Sequence, residues 1–137
     1  MQDGILPASW QGFTHAALRI MTGLLFLEHG TAKILQFPNI DEILRATAMP
    51  NGMVLGTGLV ELVGGALIVI GFFTRSVSFI LSGYMAVAYF MAHAPMGFFP
   101  LLNFGESAIL YCFIFLWLAT AGAGPFSLGR SRRAYAD

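Results

Sequence analysis

Four apolar runs organise this chain, each bounded by turn residues. The first covers residues 13–35 and stops at Pro38-Asn39. The second follows Pro50-Asn51-Gly52 and covers residues 54–73. Thr74-Arg75-Ser76 precedes the third, residues 77–96, and the fourth, residues 103–121, ends at Gly122-Ala123-Gly124-Pro125. Each approaches the roughly 20 residues that a helix needs to cross hydrocarbon. Lipid cannot satisfy backbone polar groups, and the runs lack the apolar–polar alternation of barrel strands, so helices are expected. The predicted fold is all-α: one integral membrane domain over residues 1–137, built as a bundle of four transmembrane helices. Within the loop 36–52, residues 40–48 fit either a short interfacial helix with Ile40, Ile43 and Leu44 on one side or a plain solvated loop.

Composition supports a membrane chain. Of 137 residues, 57% are hydrophobic and 10% charged, too few to coat a soluble core. The zero net charge argues against a nucleic-acid surface. Cys112 is the only cysteine, which excludes an internal disulfide or a CxxC pair. The N-terminal stretch has no basic region followed by an apolar run, so the first span is expected to act as the insertion signal.

Charge sets an expected orientation. An even number of spans puts both termini on one side. Arg130, Arg132 and Arg133 in the tail, and Arg75 between spans two and three, place that side in the cytoplasm. Arg19 agrees with this assignment and Lys33 does not. Between spans one and two, Arg45 is set against Asp41 and Glu42.

With that topology, Glu28, His29, Lys33, Glu61, His93 and Glu106 fall toward the outer half of the membrane. Glu61 is expected about a third of the way into its span. Intramembrane ionisable residues are functional candidates because a buried charge needs pairing, hydration or neutralisation. Helical phase puts Arg19, Gly23, Phe26, Gly30 and Lys33 on one stripe of the first span, with His29 on its flank. It puts Thr57, Gly58, Glu61, Gly64 and Gly65 on one face of the second, where small residues admit a close neighbour. The corresponding stripes are Ser82, Ala86, Tyr89 and His93 in the third span, and Glu106, Leu110, Phe113 and Trp117 in the fourth. Glu61, His93 and Lys33 can then converge, while Glu28 points away from the bundle.

Simpler roles compete with these. Lys33 and Glu106 can snorkel to headgroups, His93 can bond a helix-end carbonyl, and Glu61 can specify bundle packing. Arg19 and Arg75 read as cytoplasmic-interface anchors, and Trp10 and Trp117 as interfacial belt residues.

Arg19-x3-Gly23-x2-Phe26-x2-His29-Gly30-x2-Lys33 resembles the first-helix signature of the DoxX family of small bacterial membrane proteins. The likeness continues through Gly58-x2-Glu61-x2-Gly64-Gly65, Gly71-Phe72-Phe73-Thr74-Arg75 and His93-Ala94-Pro95-x-Gly97-Phe98. It closes with Asn103-x-Gly105-Glu106 and Gly122-x-Gly124-Pro125-x-Ser127-Leu128. Two positions depart from the family pattern: Glu28, where relatives are usually apolar, and Gly129, where an Asp is common. The resemblance implies a four-helix bundle in the bacterial inner membrane, in some relatives acting as the membrane subunit of a thiosulfate:quinone oxidoreductase.

The resulting functional expectation is a quinone-linked redox subunit. Lys33 or His29 would donate to a quinone carbonyl, and Glu61 or Glu106 would relay protons. Lys33, Tyr89 and His93 would line the headgroup, with the site toward the periplasm. The chain carries no evident motif for an electron carrier or metal of its own, so a partner would supply electrons. The alternative is a non-catalytic accessory or assembly subunit of a larger respiratory membrane complex. In either case the expected partners are the lipid bilayer and other membrane or periplasmic subunits, or further copies of the chain. Haem ligation by His29 and His93, and solute transport, are the remaining readings.

Overall fold

In a computed structural model, which describes residues 5–129, every regular element among these residues is helical. A 3₁₀ turn, Ala8–Trp10, leads into α1, Gln11–Ile34. The following elements are α2, Asp41–Thr47; α3, Asn51–Ile70; and α4, Thr74–Ala88. The last continues as a π-helical turn, Tyr89–His93, and a 3₁₀ turn, Ala94–Met96. The short α5, Pro100–Asn103, precedes α6, Glu106–Ala121. The expected short helix in the first loop is α2. The tail arginines invoked for orientation lie outside the described residues.

Local chemistry moves the boundaries by a few residues. Gly71 ends α3 with φ +71° and a Schellman pattern, Gly71 N–H to the Ile68 carbonyl and Phe72 N–H to the Leu67 carbonyl. A side chain there would strike Ser127 and come within 2.8 Å of Arg19 Nη1, so glycine is required for space as well as for φ. α3 therefore runs over residues 51–70 instead of 54–73, and α4 begins at Thr74 instead of 77. At the other end of α4, Pro95 lacks an N–H and its ring cannot sit over the Met91 carbonyl, so the α-helix gives way. The last helix starts at Glu106 because Phe104 is left-handed, φ +58°, separating it from α5.

The four long helices pack as two tight antiparallel pairs. In the first, glycines seal α1 against α3. A Cβ on Gly23 would stand 2.9 Å from the Val69 nitrogen, one on Gly65 2.6 Å from the Leu27 nitrogen, and one on Gly30 would meet the Leu62 backbone. Backbones this close gain dispersion and packing without bulky side chains. In the second pair, the Ser82 hydroxyl of α4 donates to the Cys112 carbonyl of α6 at 2.8 Å. Phe26, Ile68, Leu81, Phe115 and Leu118 form the core between the pairs. Phe26 meets Phe115 edge-on with ring centroids 5.0 Å apart.

The outward faces are apolar, including Val63, Phe79, Ile80, Phe90, Leu110 and Phe113. Such a surface suits lipid and not water. Asn51–Ile70 and Thr74–Met96 are long and apolar enough to cross a membrane. Helix α6 is a shorter apolar helix, and the 24-residue α1 carries Arg19, Glu28 and Lys33.

Two sequence expectations about facing are corrected. In α6, Leu110, Phe113 and Trp117 are exposed, as is Glu106, and the buried stripe is Ala108, Phe115 and Leu118. The expected stripe was phased on Glu106, but that residue is the first of its helix and faces out. The second concerns Arg19. It is wholly buried instead of anchoring at an interface, and it lies at the end of the bundle opposite Lys33. Buried polar groups therefore occupy both ends of the bundle.

Candidate functional site

Glu61 is the centre of the candidate site. Ten residues of α3 precede it and nine follow it, so it sits at mid-helix, deeper than the sequence count placed it. Three glycines on its face, Gly58, Gly64 and Gly65, bring α1 and α4 close enough to cover it. The carboxylate is 8% exposed and Lys33 14%, and Lys33 Nζ lies 2.8 Å from Glu61 Oε1. Lys33 is near the C-terminus of α1, yet its ammonium turns inward along α3 and also donates to Thr57 Oγ1 at 3.1 Å. In this structure the Lys33 ammonium therefore points to Glu61 instead of outward from the end of its helix.

Tyr84 completes the group. Its hydroxyl donates to Glu61 Oε1 at 2.9 Å. Two donors therefore share one carboxylate oxygen, while buried Oε2 has no partner among the described residues. Above Lys33, a recess of about 750 Å³ lies between α2, the end of α1 and the start of α3, lined by Lys33, Asp41, Leu44, Arg45 and Asn51 among others. Lys33 thus joins an open recess to a buried carboxylate.

The remaining candidates are dispersed. His93 accompanies neither Lys33 nor Glu61: its Nδ1 is 2.9 Å from the Asn103 carbonyl, and its ring stacks on Tyr89. Tyr89 lies over Gly105, where a Cβ would stand 2.5 Å from its ring, and Asn103 Nδ2 donates to its hydroxyl at 3.3 Å. His29 is exposed and meets Tyr111 edge-on at 6.2 Å, so it lies outside the pair. Glu106 is exposed at the start of α6, and Glu28 is exposed on α1 as its phase required. The convergence of Glu61, Lys33 and His93 expected from helical phase thus reduces to Lys33 and Glu61. Phase gives direction around a helix but not which neighbours lie closest.

Three residues have roles that the sequence reading missed. Tyr84 lies off the stripe expected for the third span; Ser82 of that stripe is buried, together with Thr74, Ser78 and Leu81 at i, i+4 and i+7. Asn103 is fully buried and caps the α5–α6 turn, accepting from Gly105 N–H at 2.8 Å and donating to the Gly97 carbonyl at 2.8 Å. At the opposite end, Arg19 donates to four carbonyls: Ile68 at 2.9 Å, Val69 at 2.6 Å, Pro125 at 3.2 Å and Phe126 at 2.7 Å. No carboxylate pairs with it among the described residues; its charge rests on carbonyl dipoles, two at the negative end of α3. His15 Nε2, 2.9 Å from the Gly122 carbonyl, ties down the same C-terminal segment.

The stretch that carries the paired glycines, Arg19, Lys33 and Glu61 matches the model of one family, DoxX, over residues 14–94. The chain belongs to the DoxX family. It is 46% identical over 116 residues to an uncharacterized protein of Haemophilus influenzae, covering 82% of this chain and 86% of that one. It is 28% identical over 120 residues to the inner membrane protein YqjF of Escherichia coli, with 82% and 86% covered. No solved structure matches. With two span-length helices and an apolar exterior, this DoxX chain is a membrane protein, in contact with the lipid bilayer.

Proposed function

We propose that this DoxX protein crosses the bacterial inner membrane four times, with both termini in the cytoplasm, and acts as a quinone-linked redox subunit. The observation that carries the reading is the Lys33–Glu61–Tyr84 group, with its unpartnered Oε2 and its opening into a recess at Lys33. On this topology the recess faces the periplasm. The residues fit a quinone headgroup: Lys33 keeps a third N–H suited to a carbonyl oxygen, Glu61 Oε2 can accept a hydroxyl, and the single Tyr84 proton stays committed to Glu61 Oε1. A quinone bound there supplies a two-electron, two-proton couple, with a partner redox protein as the electron source. Glu61 holds or moves the proton at Oε2, and Lys33 stabilises the carboxylate while the proton is away. Tyr84 orients the carboxylate through Oε1. His93, Tyr89, His29 and Glu106 stand aside from this step.

The test is lipid extraction and quinone analysis of the purified protein, followed by the same measurement on Glu61→Gln and Lys33→Met. Quinone co-purifies with the wild type and is depleted in both variants if the reading holds. Folded variants that retain wild-type quinone overturn the site.

A second reading is favoured by exposed Glu28, an acidic side chain on an otherwise apolar outward face. In it the chain is a non-catalytic accessory subunit, and Glu28 meets a neighbouring subunit or another copy. Co-purification in mild detergent separates the two: loss of a defined partner on Glu28→Leu, with quinone content unchanged, supports the accessory role.

A further inference from the structure

The end of the bundle opposite Lys33 carries its own recess. A cleft of about 880 Å³ lies between the C-terminal segment and the α3–α4 turn. Among the described residues lining it, Arg75 is the one ionisable side chain and none is acidic. Helix α4 begins on this cleft with an uncapped N-terminus. Left-handed Phe73 precedes it, φ +50°, no side chain caps it, and its first turn has no acidic residue. The ladder opens with Val77 N–H bonding the Phe73 carbonyl at 3.0 Å, so the N–H groups of Thr74, Arg75 and Ser76 precede it.

A second observation points to a ligand. Thr74, which lines the cleft, is only 4% exposed, yet its Oγ1 has no hydrogen-bond partner among the described residues. Buried hydroxyls are normally satisfied, so this one is set to receive a group from outside the chain. Arg75 is held at the rim by one N–H, Nη1 donating to the Thr120 carbonyl at 2.6 Å, leaving other guanidinium donors uncommitted. Helix N-termini with free N–H groups, a hydroxyl and a guanidinium are suited to phosphate. The cleft also has apolar walls: Phe13, Phe73 and Phe126 line it and are 60%, 62% and 74% exposed.

We infer that this cleft binds the phosphodiester headgroup of an anionic phospholipid, with the phosphate at Thr74, Arg75 and Ser76 and the acyl chains along Phe13, Phe73 and Phe126. The aromatic walls favour a lipid over a free anion. Among the described residues no lining carboxylate offers a counter-charge to a choline or ethanolamine cation. The site is separate from Lys33 and Glu61, so the two proposals stand or fall independently.

The test uses the full chain, delipidated in detergent and titrated separately with phosphatidylglycerol, phosphatidylcholine and inorganic phosphate, with bound molecules counted by native mass spectrometry. Phosphatidylglycerol binds in preference to the other two. Thr74→Val and Arg75→Gln each weaken its binding by about tenfold, the loss of one charge-assisted contact. Arg45→Gln, at the other end of the bundle, leaves it unchanged. Thr74→Val is the decisive variant because Oγ1 has no partner among the described residues, so thermal unfolding stays at the wild-type midpoint while lipid binding falls. Equal binding of the two lipids overturns the proposal. So does wild-type lipid binding by Thr74→Val, or inorganic phosphate binding as tightly as the lipid.

Discussion

Replacing Arg19 by Met keeps most of the side-chain volume and deletes the four hydrogen bonds that tie α1 to the end of α3 and to the C-terminal segment. A hydrogen bond to a charged donor contributes about 1.5 kcal/mol net, so the four together approach about 6 kcal/mol. Against this, the variant no longer buries a guanidinium, whose desolvation costs several kcal/mol. The difference leaves Arg19→Met destabilised by about 2–4 kcal/mol. In thermal unfolding followed by circular dichroism in detergent, the midpoint falls by roughly 10 °C. The loss is also local. The Pro125 and Phe126 carbonyls are released, so limited proteolysis cuts near residues 122–129 before the rest of the chain. Arg19→Lys recovers part of the stability, because an ammonium has fewer donors and no planar fork. An Arg19→Met protein with the wild-type midpoint and cleavage pattern would refute the staple.

Other substitutions probe the same framework. Gly65→Ala places a methyl 2.6 Å from the Leu27 nitrogen and forces α1 from α3, costing about 1–3 kcal/mol by thermal unfolding; an unchanged midpoint counts against the close packing. Tyr84→Phe removes one donor from Glu61 and costs about 1 kcal/mol, whereas the double variant with Glu61→Gln loses less than the sum, a coupling that a double-mutant cycle measures. Additive losses would mean that the carboxylate charge adds nothing to the 2.9 Å contact, since a glutamine oxygen still accepts from the Tyr84 hydroxyl. Glu106→Gln, at an exposed helix start, shifts stability by no more than about 0.5 kcal/mol and leaves quinone content alone; quinone loss would return Glu106 to the site.

Much of the helical order was legible in the sequence because it rests on local chemistry. Apolar runs, the Pro38, Pro50 and Thr74-Arg75-Ser76 breaks and the 122–125 turn mark helix limits within a few residues, whereas Gly71 and Pro95, inside the expected spans, end α3 and α4 earlier. The inward faces of α1 and α3 were legible too, since Arg19, Gly23, Gly30 and Lys33, and Gly58, Glu61 and Gly65, repeat at helical spacing. Glu28 faces outward for the same reason. Only tertiary packing decided the partners. A helix that is apolar all round, such as α6, has no internal phase signal, so Phe115 and Leu118 became core through their neighbours. Lys33 could have reached headgroups or Glu61; the glycine-sealed approach of α1 to α3 put the carboxylate within 2.8 Å. Arg19 resembled an interface anchor until the chain's C-terminal segment folded back to place two carbonyls over it. Spacing along one helix determines which residues share a side. Distances between helices, set by what packs between them, determine which charges meet.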